Sequence, residues 1–159
     1  MKLAEALTER ADAQRRVEQL RSRITANARY QEGEEPAEDA AALLAEAEQV
    51  LTRLRTLIAR INRTNSTVDL GPDGTMTDAL ATRDVLRLRH SVLTSAADAA
   101  SGHGVRQLRS ELRQLTALPV KALRAQADDV ARELRTLDGR IQQANWTHEL
   151  LEQGPVGSR

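Results

Sequence analysis

Apolar residues recur in alternating steps of three and four near the C-terminus of the sequence, and this repeat restricts the fold more than any other feature. Pro119 precedes the repeat and Gly154 follows it. Its members are Val120, Leu123, Ala127, Val130, Leu134, Leu137, Ile141, Ala144, His148 and Leu151. Such spacing places the side chains along one side of an α-helix, as in a coiled coil. We therefore predict a long amphipathic helix over Val120–Leu151.

Three earlier segments show the same spacing and predict further helices over Lys2–Arg29, Pro36–Asn65 and Thr77–Ala100. The last of these begins with Thr75-x-x-Asp78, an acidic variant of the capping box. Its apolar seam is formed by Ala81, Val85, Leu88, Val92, Ala96 and Ala99. Stripes of this kind have to be covered by neighbouring helices. The sequence thus predicts an all-α fold, a long antiparallel four-helix bundle with coiled-coil-like packing.

The connections between these helices differ in length. Gly33 lies in a short polar link and suits a left-handed cap after the first helix. The next link ends in Gly71–Gly74, a strong turn signal that leaves room for a small β-hairpin. Residues 105–118 keep a helical period, although glycines and a proline at their borders set them apart. Helix and strand both remain open for this last segment.

The composition limits the core and the partners. Phe and Cys are absent, so Leu, Ile, Val and Ala must form the core and disulfides are excluded. The 23 basic and 23 acidic side chains give zero net charge, and we expect no nucleic-acid partner. The absence of a long apolar run predicts no transmembrane segment and favours the cytoplasm. We expect one helical-bundle domain over residues 1–152 and a disordered tail over residues 153–159.

Patterns typical of metal or nucleotide binding are missing from the sequence. A ferritin-like two-metal bundle needs Glu-x-x-His on two helices, and this motif does not occur. His90, His103 and His148 are scattered, and the acidic run Glu32–Asp39 lacks the spacing of a calcium loop. No glycine-rich phosphate loop is present. We predict neither a metal nor another cofactor.

Arg83 and His90 form the weak candidate for a catalytic pair. Six residues separate them on the third predicted helix, which resembles the Arg-x(4–6)-His pattern of HEPN ribonucleases. Those enzymes use the pair to position and protonate a phosphodiester. A helix rich in arginine also produces this spacing without any function, and a solvated, ion-paired face is the plainer interpretation.

Polar residues near the helix ends are the second group of candidates. They are Asn27, Asn62, Thr64, Asn65, Asn145 and Trp146. Amides and hydroxyls at such positions cap the backbone or meet a partner chain. We therefore predict interface or capping roles for them.

Five short runs carry a family resemblance. They are Met1–Leu7, Asn27–Pro36, Ile61–Asn65, Arg83–Leu86 and Ala144–Thr147. Together they resemble a small bacterial family that has no established function and whose members often carry the label septicolysin. The likeness spans Met1–Leu151. In that family the stretch matching Arg109–Val120 reads as a strand, which implies an extended, partly β-paired excursion where periodicity alone predicts a short helix.

These features together predict a non-enzymatic, homo-oligomeric protein with an assembly or scaffold role. The apolar stripes of the second and fourth helices extend further than the shorter third helix can cover, which favours a second copy as the cover. One alternative is a HEPN-like ribonuclease that uses Arg83 and His90. The other is a membrane-active cytolysin, as the septicolysin label implies.

Overall fold

The computed structural model describes residues 1–102 and 114–152 of the chain. It contains four α-helices: α1 (Leu3–Asn27), α2 (Ala40–Thr67), α3 (Met76–Ala100) and α4 (Val120–Thr147). A single turn of 3₁₀-helix, Gly71–Asp73, precedes α3. The described residues contain no β-strand. The prediction of an all-α fold with four long helices is confirmed.

The ends of the helices are set by local hydrogen bonds. Asp39 caps α2, since its carboxylate accepts the N–H groups of Ala41 (2.9 Å) and Ala42 (3.2 Å). The predicted start at Pro36 is therefore wrong. Thr75 and Asp78 form the predicted capping box of α3, in which Thr75 N–H donates to Asp78 Oδ2 (2.9 Å) and Asp78 N–H donates to Thr75 Oγ1 (3.3 Å).

The chain forms two compact units. The first comprises Met1–Val68 and the residues from Ala144 onward, and the second comprises Asp69–Gln143. The prediction of one domain over residues 1–152 stays a prediction. Of the segments left open by the sequence, 114–118 form neither helix nor strand, whereas 105–113 and the predicted tail lie outside the described residues.

In the first unit, α1 and α2 form an antiparallel hairpin. A small core holds them together, in which buried Leu20, Leu43 and Ala47 are packed against Ile24 and Val50. Three ion pairs follow the same antiparallel order along the two helices. They are Glu9–Arg53, Arg16–Glu46 and Arg23–Glu38. Hydrogen bonding to Arg23 is the main reason why the pKa of Glu38 lies below its ordinary value.

In the second unit, α3 and α4 also run antiparallel, with ion pairs between Arg124 and Asp98 (3.2 Å) and between Arg87 and Asp138 (3.7 Å). The turn before α3 holds one antiparallel bridge, between Asp69 and Thr75, and no hairpin strands. Gly74 has a φ of 75° and closes this turn, where a Cβ atom would lie 2.8 Å from the Asp78 carboxylate.

Candidate functional site

Helix α3 carries an inner face that differs from the predicted seam. Its buried residues are Met76, Ala79, Leu86 and Ala97. Arg83, His90 and Leu93 are half-buried and complete the same alternation of three and four. The predicted inward seam, which began at Ala81, is therefore wrong. The sequence pattern does not indicate the inner series, because an arginine and a histidine interrupt its apolar residues.

The outer face of α3 is a continuous apolar stripe. It consists of Ala81, Val85, Leu88 and Val92, and all four residues are exposed. The three larger side chains are 62%, 68% and 67% exposed, in that order. Single exposed apolar residues are ordinary, but a contiguous row of them marks an interaction surface. We call these four residues the outer stripe.

Other exposed leucines do not form such a row. Leu44 and Leu51 of α2 are 53% and 42% exposed and lie one heptad apart. Glu48, which lies between them on that side, is exposed and charged, as is Arg55 beyond them. These leucines are thus isolated on a charged surface, and α3 carries the longer unbroken apolar surface.

The structure places Arg83 and His90 on the inner face of α3, one heptad apart. The Arg83 side chain is 23% exposed, and its guanidinium donates to Asp84 Oδ1 from Nη2 (3.2 Å) and Nε (3.3 Å). The His90 imidazole makes no hydrogen bond with any residue in the ranges 1–102 and 114–152. Neither a hydrogen bond nor an ion pair joins the two side chains within those ranges, and a catalytic role for them stays a prediction.

Thr64 is one of the predicted helix-end residues, and its hydroxyl bonds to two backbone groups. It is 1% exposed and lies in the last turns of α2. Its Oγ1 donates to the carbonyl of Arg60 (2.9 Å) and accepts the N–H of Leu151 (3.0 Å). Arg60 in turn donates from Nε to the carbonyl of Leu151 (2.9 Å). Thr64 and Arg60 together bind the segment that follows α4.

The N-terminus holds that same segment from another side. Leu3 N–H donates to the carbonyl of His148 (3.0 Å), and Leu150 N–H donates to the carbonyl of Met1 (2.9 Å). Lys2 lies opposite Glu149 in an antiparallel bridge, and its Nζ donates to the carbonyl of Thr147 (3.0 Å). These bonds explain why α4 ends at Thr147, four residues before the predicted end.

The remaining predicted residues lie in different surroundings. Asn62 is exposed, Asn65 is half-buried and Asn145 is 7% exposed. Trp146 is 63% exposed. Asn27 bridges the α1–α2 link, because its Nδ2 donates to the carbonyl of Arg23 (2.9 Å) and its Oδ1 accepts the N–H of Glu38 (3.0 Å). Interface roles for this group stay predictions.

No group of three or more His, Asp or Glu side chains within residues 1–102 and 114–152 is placed to hold a metal ion. None of the helices described is both long enough and apolar enough to cross a membrane.

Comparison with known proteins identifies relatives whose function is also open. A crystal structure of a functionally unknown conserved protein from Corynebacterium diphtheriae superposes with a TM-score of 0.90. The two sequences are 39% identical, over 95% of this chain and 99% of that chain. No curated protein matches. The profile of a family of unknown function matches residues 10–150, and the chain therefore belongs to that family, DUF6847.

Proposed function

We propose that the protein is a non-enzymatic assembly protein that self-associates through the outer stripe of α3. The observation that carries this proposal is the unbroken exposure of Val85, Leu88 and Val92. Burying such side chains releases ordered water and is the main favourable term in protein association. Since one face of α3 is already buried within the chain, we expect a further partner to cover its exposed apolar face.

A second copy of the chain fits this surface. A two-fold interface is made of the same patch on both subunits, and a straight row of Val and Leu is self-complementary by knobs-into-holes packing. The row is short, about three turns of helix. We therefore expect modest affinity, with dissociation constants in the micromolar range.

The test is the mass in solution of the full chain by light scattering, measured from about 1 to about 100 µM. We expect a mass above that of the monomer that depends on concentration, and a monomer for the double variant Val85→Glu/Leu88→Glu. Leu44→Glu/Leu51→Glu is the matched control, because it adds the same two charges at exposed leucines outside the stripe, and it should associate as the wild type does.

Two results would count against the proposal. A wild-type monomer throughout the concentration range would exclude self-association, and equal loss in the Leu44→Glu/Leu51→Glu control would show a general effect of added charge. Dye release from lipid vesicles by the wild type, abolished in Val85→Glu/Leu88→Glu, would assign the stripe to membranes as the septicolysin label implies. Cleavage of RNA that is lost in His90→Ala would support the ribonuclease alternative.

A further inference from the structure

We infer that two copies pair their α3 helices in parallel, with Asp84 of each copy beside Arg89 of the other. This inference rests on the proposed self-association and adds the orientation of the partner. Asp84 and Arg89 border the outer stripe on opposite sides, and both are exposed. They are the charged side chains closest to the middle of the stripe.

The heptad positions of α3 define these borders. With Val85 and Val92 at position a, Ala81 and Leu88 occupy position d. Asp84 then falls at position g and Arg89 at position e. In a parallel pair, a g residue lies beside the e residue of the partner's following heptad. Asp84 would thus meet the partner's Arg89, and the two-fold axis would repeat the pair.

Both side chains are available for such a bond. Asp84 is 64% exposed, and its contacts with Arg83 and with Arg87 (3.9 Å) all end on Oδ1, which leaves Oδ2 able to accept another hydrogen bond. Arg89 makes no ion pair within the residues that the structure describes, whereas Arg87 binds Asp138 in its own chain. Among the described residues, Arg89 therefore borders the stripe as a cation without a carboxylate partner.

An antiparallel pair would lose this complementarity. In that orientation g residues face g residues and e residues face e residues across the seam. Asp84 would face either Ser91 or another acid, Asp98, and Arg89 would face an uncharged residue or its own copy. Opposite charges that flank a hydrophobic seam favour one orientation by disfavouring the other.

Charge reversal tests the pair itself. Asp84→Arg alone and Arg89→Asp alone each turn two attractive contacts per dimer into two repulsive ones, and we expect roughly tenfold weaker association for each. An equimolar mixture of the two variants should regain wild-type affinity as a heterodimer, since each copy then supplies the charge that the other lacks. Glu48→Arg, an exposed reversal on α2, is the control and should have no effect.

Cross-linking tests the orientation. The chain has no Cys, so a single Ser95→Cys substitution gives one reactive thiol at the next d position of the stripe. A parallel dimer places the two thiols side by side, and mild oxidation should yield a covalent dimer. An antiparallel dimer packs a positions against d positions, so it would instead cross-link Ala81→Cys with Val92→Cys in a mixture of the two variants, and neither variant alone.

The two proposals can fail separately. If the wild type associates but the charge variants associate equally well, or if Ser95→Cys fails to cross-link, the parallel arrangement is wrong and self-association stands. If the wild type is monomeric, the self-association proposal falls and the parallel arrangement with it. Restored affinity in the mixture together with cross-linking of Ser95→Cys is the result that supports both.

Discussion

One hydroxyl group in the first unit satisfies two backbone groups from distant parts of the chain. Thr64 donates to Arg60 within its own helix and accepts from Leu151, far away in sequence. The Thr64 hydroxyl is buried and its bond to the Leu151 N–H is partly buried, so loss of this acceptor should leave the N–H poorly satisfied. The methyl group of Thr64 could be retained by valine, whereas the hydroxyl could not.

We expect Thr64→Val to destabilise the fold by about 1–2 kcal/mol, because Leu151 N–H loses its acceptor. Chemical denaturation gives this value, and hydrogen exchange of the Leu151 amide should become faster. Thr56→Val is the control, since the Thr56 hydroxyl only donates to the carbonyl of Thr52 in its own helix. Equal losses in the two variants would mean that the bond to Leu151 contributes nothing.

The capping box at the start of α3 gives a prediction that depends on pH. Hydrogen bonds from the Thr75 side chain, and then from its backbone, hold the pKa of Asp78 below its ordinary value of 3.8. A carboxylate with a lowered folded-state pKa stabilises the fold above the pKa of the unfolded chain. This contribution is lost as pH falls through the folded-state pKa.

Thr75→Ala removes the larger of these two causes, so we expect the pKa of Asp78 to rise toward its ordinary value. Carboxyl chemical shifts in an NMR titration measure the change. The stability difference between wild type and variant should be largest at neutral pH and should shrink in acid. Thr77→Ala, two residues further on and exposed, should leave the titration of Asp78 unaltered.

Single residues differ in how far the sequence predicts them. The Thr75–Asp78 cap was predictable because both partners lie within four residues of each other. Thr64 could be identified as a candidate from its position near a helix end, but its bond to Leu151 could not, since the pattern of one helix says nothing about distant backbone. The periodicity correctly identifies the residues of the outer stripe as one apolar series. The expectation that this series is buried is wrong.

At the scale of elements, the α1–α2 hairpin follows the heptad repeat most closely. Glu9, Arg16 and Arg23 lie one heptad apart on α1, and each pairs with an opposite charge on α2. Such partly exposed pairs contribute little stability each, but they favour one register. The stability of the hairpin comes instead from the apolar cluster that includes Leu20 and Leu43.

Leu20→Ala should destabilise the fold by about 2–5 kcal/mol, because Leu20 is fully buried and its truncation leaves a cavity. Leu44→Ala, at a leucine that is 53% exposed, should cost less than about 1 kcal/mol. Urea denaturation of both variants gives the comparison. Similar costs at the two sites would mean that the α1–α2 cluster is not the core of the hairpin.

For α3, the sequence predicts that a helix is present but not which of its faces is buried. Its sequence contains two series with the same spacing, and periodicity favours the exposed one because no polar side chain interrupts it. The buried series contains Arg83 and His90, whose alkyl and ring parts can lie in a partly buried face while their polar atoms reach outward. Only tertiary packing decides which series is covered, and the pattern of one helix does not encode it. The exposed series is the outer stripe, and we propose that it contacts a second copy of the chain.

At the scale of the whole molecule, the predicted all-α class holds. The sequence pattern does not predict the grouping of the chain into two compact units. The four predicted helices are all present among the described residues, since each is specified by its own periodicity. The first of the two compact units combines residues from both ends of the chain. This pairing depends on the backbone bonds of Met1 and Leu3 with the segment after α4, which no local pattern encodes.

Self-association also predicts how thermal stability responds to concentration. When the folded chain binds a second copy and the unfolded chain does not, mass action stabilises the folded state, and the midpoint of unfolding rises with protein concentration. We expect the wild-type Tm to increase across a hundredfold range of concentration, measured by calorimetry. The Val85→Glu/Leu88→Glu variant should show a constant Tm, because those side chains lie on the outside of α3 and its inner face stays intact. A constant wild-type Tm would contradict the proposal, and a rising Tm in the variant would place the interface elsewhere on the molecule.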